Sequence, residues 1–227
     1  MTAMVRVQKL TRRFGNAVVL DGIDLEVDAG HCVALTGSRG AGRTTLLRVL
    51  AALHRPTSGQ VEVAGVDVSR SPIEARARTM YVSSELPGAT HLRASEYVDF
   101  VRHTRGRRAS RLSTLDALRR ADVPADADID RLSPSMRMRL ALTVALVVAP
   151  PLLLVDEPFA SLDAFSCARF TDWLTETRAG GTTIIASVRD GANAASLCDI
   201  EVRMDHGRIV SRVQRAPAGR AETTGAR

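Results

Sequence analysis

The chain is poor in cysteine. It has three among 227 residues, Cys32, Cys167 and Cys198, an odd number with no C-x-x-C spacing. Disulfide-stapled domains and zinc ribbons need more cysteines at closer, paired spacings. The pattern therefore argues against both, and we expect a reducing, cytosolic setting without structural disulfides or zinc.

Long apolar runs are also missing. Residues 1–10 alternate apolar and polar side chains and do not form the apolar core of a signal peptide. The longest apolar stretch, residues 140–155, is interrupted by Pro150 and Pro151 and is too short to cross a bilayer. We therefore expect no targeting segment, no membrane span and a chain that is soluble by itself.

Lysine is almost absent, although the net charge is +6. Only Lys9 of the 31 basic residues is a lysine, and aromatic residues make up 4% of the chain. No predicted helix carries a basic stripe with interleaved aromatic residues, so we expect no specific nucleic-acid partner. A weak attraction to an anionic membrane surface is the alternative interpretation of the charge. Residues 215–227 are rich in Ala, Gly, Thr and Arg, which predicts a disordered basic tail.

A glycine-rich loop is the clearest motif that is present. Its nine residues are Gly37, Ser38, Arg39, Gly40, Ala41, Gly42, Arg43, Thr44 and Thr45. They follow the pattern G-x-x-x-x-G-K-[ST], in which backbone N–H groups surround nucleotide phosphates and the hydroxyl binds Mg²⁺. Arg43 stands in place of the lysine. Because a guanidinium is a longer, planar fork, this exchange at a tight phosphate loop is not conservative.

A second motif, PLLLVDEPFASLD, covers residues 151–163. Its apolar run predicts a buried parallel strand, and Asp156 follows at the carboxyl end, where open α/β sheets bind their ligands. An aspartate there can hold Mg²⁺, and Glu157 can orient or deprotonate a water. Two acids that end a strand by chance are the alternative, which the glycine loop upstream disfavours.

Periodicity along the chain predicts an α/β order of strands and helices. Apolar and polar side chains alternate in residues 5–10 and again in residues 20–27, which predicts two antiparallel strands. Residues 59–68 predict a hairpin that turns at Ala64 and Gly65. Residues 92–121 and 136–148 have helical spacing. We therefore predict a helical block inserted between residues of about 85 and 150.

With these motifs and this order, residues 5–210 resemble the nucleotide-binding subunits of ATP-binding-cassette (ABC) transporters, especially those of bacterial drug and multidrug exporters. The resemblance implies a P-loop NTPase cassette over residues 1–214, with a mixed RecA-like sheet, an antiparallel β subdomain and a helical subdomain at about 88–148. It also implies ATP and Mg²⁺ as cofactors and a homo- or heterodimer with another cassette. Besides the second cassette, the resemblance implies a membrane-spanning permease on a separate chain as partner. This would place the protein at the inner face of the cell membrane.

The resemblance assigns further site residues. Phe14 stands where an aromatic ring stacks on adenine, although a core position at the strand end explains it equally well, and Asp163 matches the loop that contacts the partner cassette. Ser84 replaces a glutamine that touches Mg²⁺. Arg189 replaces a histidine that contacts the γ-phosphate. The signature loop reads Leu132, Ser133, Pro134, Ser135 and Met136, without its two glycines.

The resemblance implies a composite nucleotide site, in which one cassette supplies the phosphate loop and the acids and its partner supplies the signature loop. The departures affect both contributions. Pro134 lacks an N–H, Ser135 adds a side chain where the backbone should approach a phosphate, and Arg189 does not switch protons as an imidazole does. Ser133 and Pro134 nevertheless form a favourable helix start, with serine at the N-cap and proline at the first position. We expect an ATP-binding subunit with impaired hydrolysis; the alternative is a non-hydrolysing regulatory or structural subunit.

Overall fold

The computed structural model describes residues 3–83, 91–105, 113–160, 162, 164–189 and 198–214. Within these ranges the strands are β1 (Ala3–Phe14), β2 (Ala17–Asp28), β3 (Cys32–Thr36), β4 (Ser58–Val63), β5 (Val66–Asp67), β6 (Thr79–Val82), β7 (Leu152–Asp156), β8 (Thr183–Ser187), β9 (Ile200–Asp205) and β10 (Arg208–Gln214). The helices are α1 (Arg43–Leu50), α2 (Pro72–Arg78), α3 (Ala94–Arg105), α4 (Thr114–Arg120), α5 (Pro134–Val148) and α6 (Ala164–Ala179).

The first sheet is antiparallel, with the order β2-β1-β4-β5. Its apolar side chains alternate with polar ones and face one core, as the period of two requires for a half-buried sheet. The predicted hairpin is confirmed. Ala64 and Gly65 connect β4 to β5 with φ angles of 50° and 77°, and positive φ at both central residues is typical of a tight hairpin turn.

The second sheet has the order β10-β9-β3-β8-β7-β6, and only β10 runs antiparallel to its neighbour. β3 and β8 are buried along their whole length, as is β7 up to Asp156. The sheet therefore needs cover on both faces. The two motifs predict the phosphate loop and Asp156 at adjacent strand ends, and this prediction is wrong, because β8 lies between β3 and β7.

Alternate residues of these strands contribute to two separate cores. Val33, Leu35 and Leu154 pack with the antiparallel sheet and α1. Ala34 and Leu153 pack with the inserted helices and α6. The mixed sheet is thus the middle layer of the cassette, and the predicted combination of mixed sheet, antiparallel β part and inserted helices is confirmed.

The inserted helices α3, α4 and α5 lie between β6 and β7 in the chain. Ser133 caps α5, because its hydroxyl accepts a hydrogen bond from the Met136 N–H at 3.2 Å, and Pro134 occupies the first turn. This helix start is confirmed. The bounds of about 88–148 for a helical subdomain stay a prediction.

Some local predictions differ from the structure. The sequence of residues 44–53 predicts a helix that reaches Leu53, but α1 ends at Leu50, because Ala52 takes a φ of 56°. The patterns did not predict α2 or β10. The sequence also predicts a helix near residues 190–197, and these residues, like the predicted tail at 215–227, lie outside the described residues. No helix of the described part combines the length and hydropathy that crossing a membrane requires.

Leu153 tests the middle layer. Its side chain is fully buried in β7, so Leu153→Ala should reduce the free energy of unfolding by about 2–5 kcal/mol, through lost burial and the cavity left behind. Leu115→Ala on α4, where the side chain is 51% exposed, is the control and should cost far less. Equal urea-unfolding midpoints for the two variants would contradict this packing.

Candidate functional site

The glycine loop connects the end of β3 to the start of α1 through backbone that other residues would strain. Gly37 has a φ of 143°, and a Cβ atom there would lie 2.2 Å from the carbonyl oxygen of Met204. Gly42 has a φ of 98°, and its Cβ would lie 2.9 Å from both the Val19 carbonyl oxygen and a methyl of Leu20. Close backbone packing therefore requires these glycines. Ser38, Arg39 and Gly40 are exposed at the tip, whereas Ala41 and Gly42 are buried and Thr45 is half-buried.

Arg43 is folded into the protein and does not project into solvent. It is only 5% exposed. Its Nη1 donates to the carbonyl oxygens of Gly37 at 2.5 Å and Val188 at 2.7 Å, and its Nη2 donates to Oε1 of Glu157 at 2.9 Å. One guanidinium thus connects the loop after β3, the end of β8 and the acid after β7.

Glu157 is held on both carboxylate oxygens. Oε1 accepts from Arg43, and Oε2 accepts from Nε and Nη2 of Arg189 at 2.9 and 2.6 Å. The hydrogen bonds to this carboxylate, and its charge, raise the pKa of Arg189 above the ordinary guanidinium value, so Arg189 stays charged. The backbone of Glu157 has a φ of 46°, and its N–H donates to Ser187 Oγ at 2.8 Å.

Asp156 accepts three side-chain hydrogen bonds. Oδ1 accepts from Thr44 Oγ1 at 3.1 Å and from Ser187 Oγ at 2.6 Å, while Oδ2 accepts from the Tyr81 hydroxyl at 2.7 Å. Burial and the hydrogen bond to Asp156 raise the pKa of Tyr81, so its hydroxyl stays neutral and donates. Thr44 and Asp156, predicted as metal ligands from separate motifs, are in direct contact.

Sequence reasoning did not assign Tyr81 or Ser187 to the site. Ser187 donates to Asp156 and accepts from the Glu157 backbone, so it fixes both acids at once. Its only signal was a hydroxyl at the end of a mostly apolar strand. Tyr81 lies on β6, next to β7, and its signal was one polar ring within a short apolar strand.

A cavity of about 500 Å³ opens over these groups. Its lining consists of the loop residues from Arg39 to Thr45, the two acids Asp156 and Glu157, and the side chains of Val19, Arg48, Tyr81, Ser83, Ala160 and Arg189. Loop N–H groups at a helix start, with several guanidiniums, suit an anion such as a polyphosphate. The oxygens of Thr44 and Asp156 suit Mg²⁺, which prefers oxygen ligands.

Three of the other predicted site residues lie elsewhere. Phe14 is 42% exposed, so its interpretation as a core residue is wrong. Its ring meets His54 edge-on at 5.3 Å and lies 4.3 Å under the Arg12 guanidinium, and it is not among the described residues that line the cavity. Ser133 is exposed at the start of α5. The Oγ atom of Ser135 is shielded from solvent, so this hydroxyl points inward.

Two predicted residues, Ser84 and Asp163, lie outside the described residues. Their roles as a magnesium ligand and as a contact to a partner cassette stay predictions.

The phosphate loop after a buried parallel strand, with acids two strands away in the same sheet, defines a P-loop NTPase. The family model described as ABC transporter matches residues 20–160, and the chain belongs to this family. This confirms the resemblance that the two motifs indicated.

Curated relatives include both resistance and import proteins. Daunorubicin resistance ATP-binding protein DrrA2 of Streptomyces coeruleorubidus is 34% identical over 91% of this chain and 66% of its own length. Sulfate/thiosulfate import ATP-binding protein CysA of Bradyrhizobium diazoefficiens is 35% identical over 90% of this chain and 62% of its own. The chain therefore spans about two thirds of the length of these relatives.

Solved structures share the fold. An ATP-binding subunit of an ABC transporter superposes with a TM-score of 0.83 at 24% identity, covering 93% of this chain and 90% of that one. The ATP-binding cassette MJ0796, a dimer in a post-hydrolysis state bound to ADP and Pi, superposes with a TM-score of 0.83 at 21% identity, covering 94% and 99%.

Ser187 provides a test of how the acids are positioned. Ser187→Ala leaves the Glu157 N–H and an Asp156 oxygen without this partner, so the free energy of unfolding should fall by about 1–3 kcal/mol. Ser211→Ala on the exposed strand β10 is the control and should stay within about 0.5 kcal/mol of the parent. Unfolding curves that do not separate the two variants would contradict the role of Ser187.

Proposed function

We propose that this protein is the ATP-binding subunit of an ABC transporter, and that its ATP hydrolysis is slowed by the state of Arg43. The observation that supports this most directly is the contact of one buried guanidinium with the phosphate loop, β8 and Glu157. The nucleotide site is otherwise complete in its loop glycines, in Thr44 and in both acids.

ATP would bind in the cavity over the glycine loop, with its phosphates against loop N–H groups and the start of α1. Thr44 and Asp156 would hold Mg²⁺, with Ser84 as a further candidate that the resemblance supplies. Mg²⁺ neutralises phosphate charge and orients the terminal phosphoryl group. The present contact between Thr44 and Asp156 keeps the two ligands together, while Ser187 and Tyr81 orient the carboxylate.

Slow hydrolysis follows from the contacts of Glu157. A carboxylate that orients an attacking water acts best when its lone pairs face that water and are not shared with cations. Both oxygens of Glu157 already accept from guanidiniums, and the Arg43 pair is largely buried. Opening a buried ion pair without a substitute partner costs about 3–5 kcal/mol. A bound triphosphate would be that substitute, so ATP and Glu157 compete for Arg43 and Arg189.

A dimer would place the start of α5 over the partner's nucleotide. Ser133 uses its oxygen to accept from Met136 and keeps its own hydrogen for donation, and Pro134 beside it is exposed. Proline lacks an N–H at this position, so the phosphate would gain one donor fewer. We infer that no dimer containing this chain, homomeric or heteromeric, has a site with the full family motifs, because this chain contributes an altered phosphate loop to one site and an altered signature loop to the other.

We place the protein at the inner face of a cell membrane, bound to a permease on a separate chain. The drug-exporter resemblance agrees with a relative named for daunorubicin resistance, and another relative is named for sulfate/thiosulfate import. Both are named as ATP-binding proteins, and the family model that matches this chain is described as ABC transporter, so transport is the function we propose. The permease chain would determine the substrate and the direction.

A second candidate is a regulatory or structural cassette that does not hydrolyse ATP. It is favoured by the same Arg43, which makes three hydrogen bonds inside the protein and so acts as a cross-brace between strand ends. Nucleotide binding and turnover distinguish the two candidates.

Binding should be measurable by calorimetry with Mg-ATP. Gly42→Asp should weaken it at least about tenfold, because a side chain there meets backbone at 2.9 Å and adds negative charge beside the phosphates. Gly65→Asp is the matched control, since a Cβ at this positive-φ glycine meets no atom within 4 Å and lies in a distant hairpin. A parent chain with neither heat nor thermal shift at millimolar ATP would favour the structural candidate.

Turnover should respond to Arg43→Lys. A compact ammonium does not span the three acceptors that the guanidinium fork reaches, so Oε1 of Glu157 is released, although Arg189 still holds Oε2, and the terminal phosphate regains its usual cation. We expect phosphate release to rise about tenfold. Arg119→Lys, at a side chain that is 78% exposed, should change nothing. Glu157→Gln in the Arg43→Lys background should abolish the gain. A fast parent enzyme that is indifferent to Arg43→Lys would show that the loop works with arginine.

A further inference from the structure

Two of the three cysteines meet at the end of the mixed sheet opposite the phosphate loop. Cys32 opens β3, and Cys198 lies two residues before β9 begins. Because β3 pairs in parallel with β9, Val33 against Ile200, the starts of both strands lie side by side. The Sγ atoms are 2.8 Å apart, although the residues are 166 positions apart in the chain.

The backbone on both sides of this pair is fixed by Asp199. Its N–H donates to the Cys32 carbonyl oxygen at 3.0 Å, and its Oδ2 accepts from the Cys32 N–H at 3.2 Å. The same carboxylate contacts His31 at 3.1 Å and accepts from Arg178 on Oδ1. The two thiols are therefore held against each other by a network that does not depend on them.

We propose that Cys32 and Cys198 are a peroxide-oxidisable dithiol that closes to a reversible disulfide. A disulfide has an S–S bond of about 2.05 Å, so the sulfurs must approach by only about 0.8 Å. The proposal does not depend on the proposed transport function, and a reversible bond of this kind differs from the structural disulfides that the cysteine pattern argued against.

The reaction balances with hydrogen peroxide as the oxidant. One sulfur, as thiolate, attacks a peroxide oxygen and becomes a sulfenic acid, while the other peroxide oxygen leaves as hydroxide and takes a proton. The second sulfur attacks the sulfenic sulfur, the S–S bond forms, and the departing hydroxide takes the second thiol proton. Two thiols and one peroxide thus give one disulfide and two waters.

The burial of both thiols determines which oxidants can reach them. Cys32 is 1% exposed and Cys198 is 7% exposed, so a bulky disulfide such as glutathione disulfide has no direct access, whereas hydrogen peroxide, with two heavy atoms, is far smaller. The hydrogen bond to Cys32, with burial, raises the pKa of the Cys198 thiol, so we assign the first attack on peroxide to Cys32 and the second, resolving attack to Cys198. Within the described ranges, no three His, Cys, Asp or Glu side chains form a group that could hold a metal ion.

Closing the bond should stabilise the fold. A cross-link between positions 166 residues apart restricts the unfolded chain strongly, while the native strands barely move. We therefore expect the oxidised protein to unfold at a higher temperature than the reduced protein, and reduction to reverse this shift.

The test is thiol counting on the full folded chain. After treatment with hydrogen peroxide, removal of the oxidant and alkylation in denaturant, the parent should carry one alkyl group, on Cys167, and three after prior reduction. The intact mass before alkylation should be about 2 Da lower than that of the reduced chain, for the two hydrogens lost. Peptide mapping should find Cys32 linked to Cys198.

Two variants make the test specific. Cys167→Ser should still lose about 2 Da, since Cys167 lies outside the pair, and Cys198→Ser should not. Cys32→Ala serves the same purpose if Cys198→Ser does not fold. Three alkylated cysteines in the treated parent, a linked peptide that contains Cys167, or oxygen addition without a link would each overturn the proposal. An unchanged unfolding temperature would overturn the stabilising role.

Discussion

The parallel pairing of β3, β8 and β7 is the constraint on which the site depends. It places three strand ends side by side, followed by the glycine loop, by Val188 and by Glu157. Arg43 contacts all three through one guanidinium that is almost fully buried. Because these strands are buried on both faces, packing in two cores fixes their register. The same packing fixes the relative positions of the site residues at the strand ends.

The same contacts link structure to reactivity. A buried guanidinium needs acceptors, and here the protein supplies them from a loop carbonyl, a strand-end carbonyl and the acid Glu157. In the proposed site, a nucleotide would therefore have to replace the hydrogen bonds that Arg43 already makes, whereas a lysine without such partners would be available to bind the phosphate directly. Ser187 adds a second link, since it touches both Asp156 and the Glu157 backbone. Both acids are positioned without a ligand, but the carboxylate of Glu157 is already paired with Arg43 and Arg189.

Much of the fold was predictable because its signals are local. The glycine pattern, the apolar run before Asp156 and the capping pair Ser133 and Pro134 depend on backbone chemistry within a few residues. Helix α2 begins with a similar local pair, Ser71 and Pro72, but only Ala75 of its seven residues is buried, so no apolar period supported the start signal and the helix was missed. Strand β10 was missed for a similar reason, since nearly all its side chains are exposed and no alternation marks a buried face.

The sequence by itself determined which chemical groups are available: a phosphate loop with arginine at its cation position, two acids at a strand end, and a helix start without signature glycines. Only the tertiary structure decided which groups meet. Arg43 and Glu157 are 114 residues apart, Tyr81 and Asp156 are 75 apart, and Cys32 and Cys198 are 166 apart. Strand order and register bring these pairs together, and both are set by the burial of whole strand faces, which no short motif encodes.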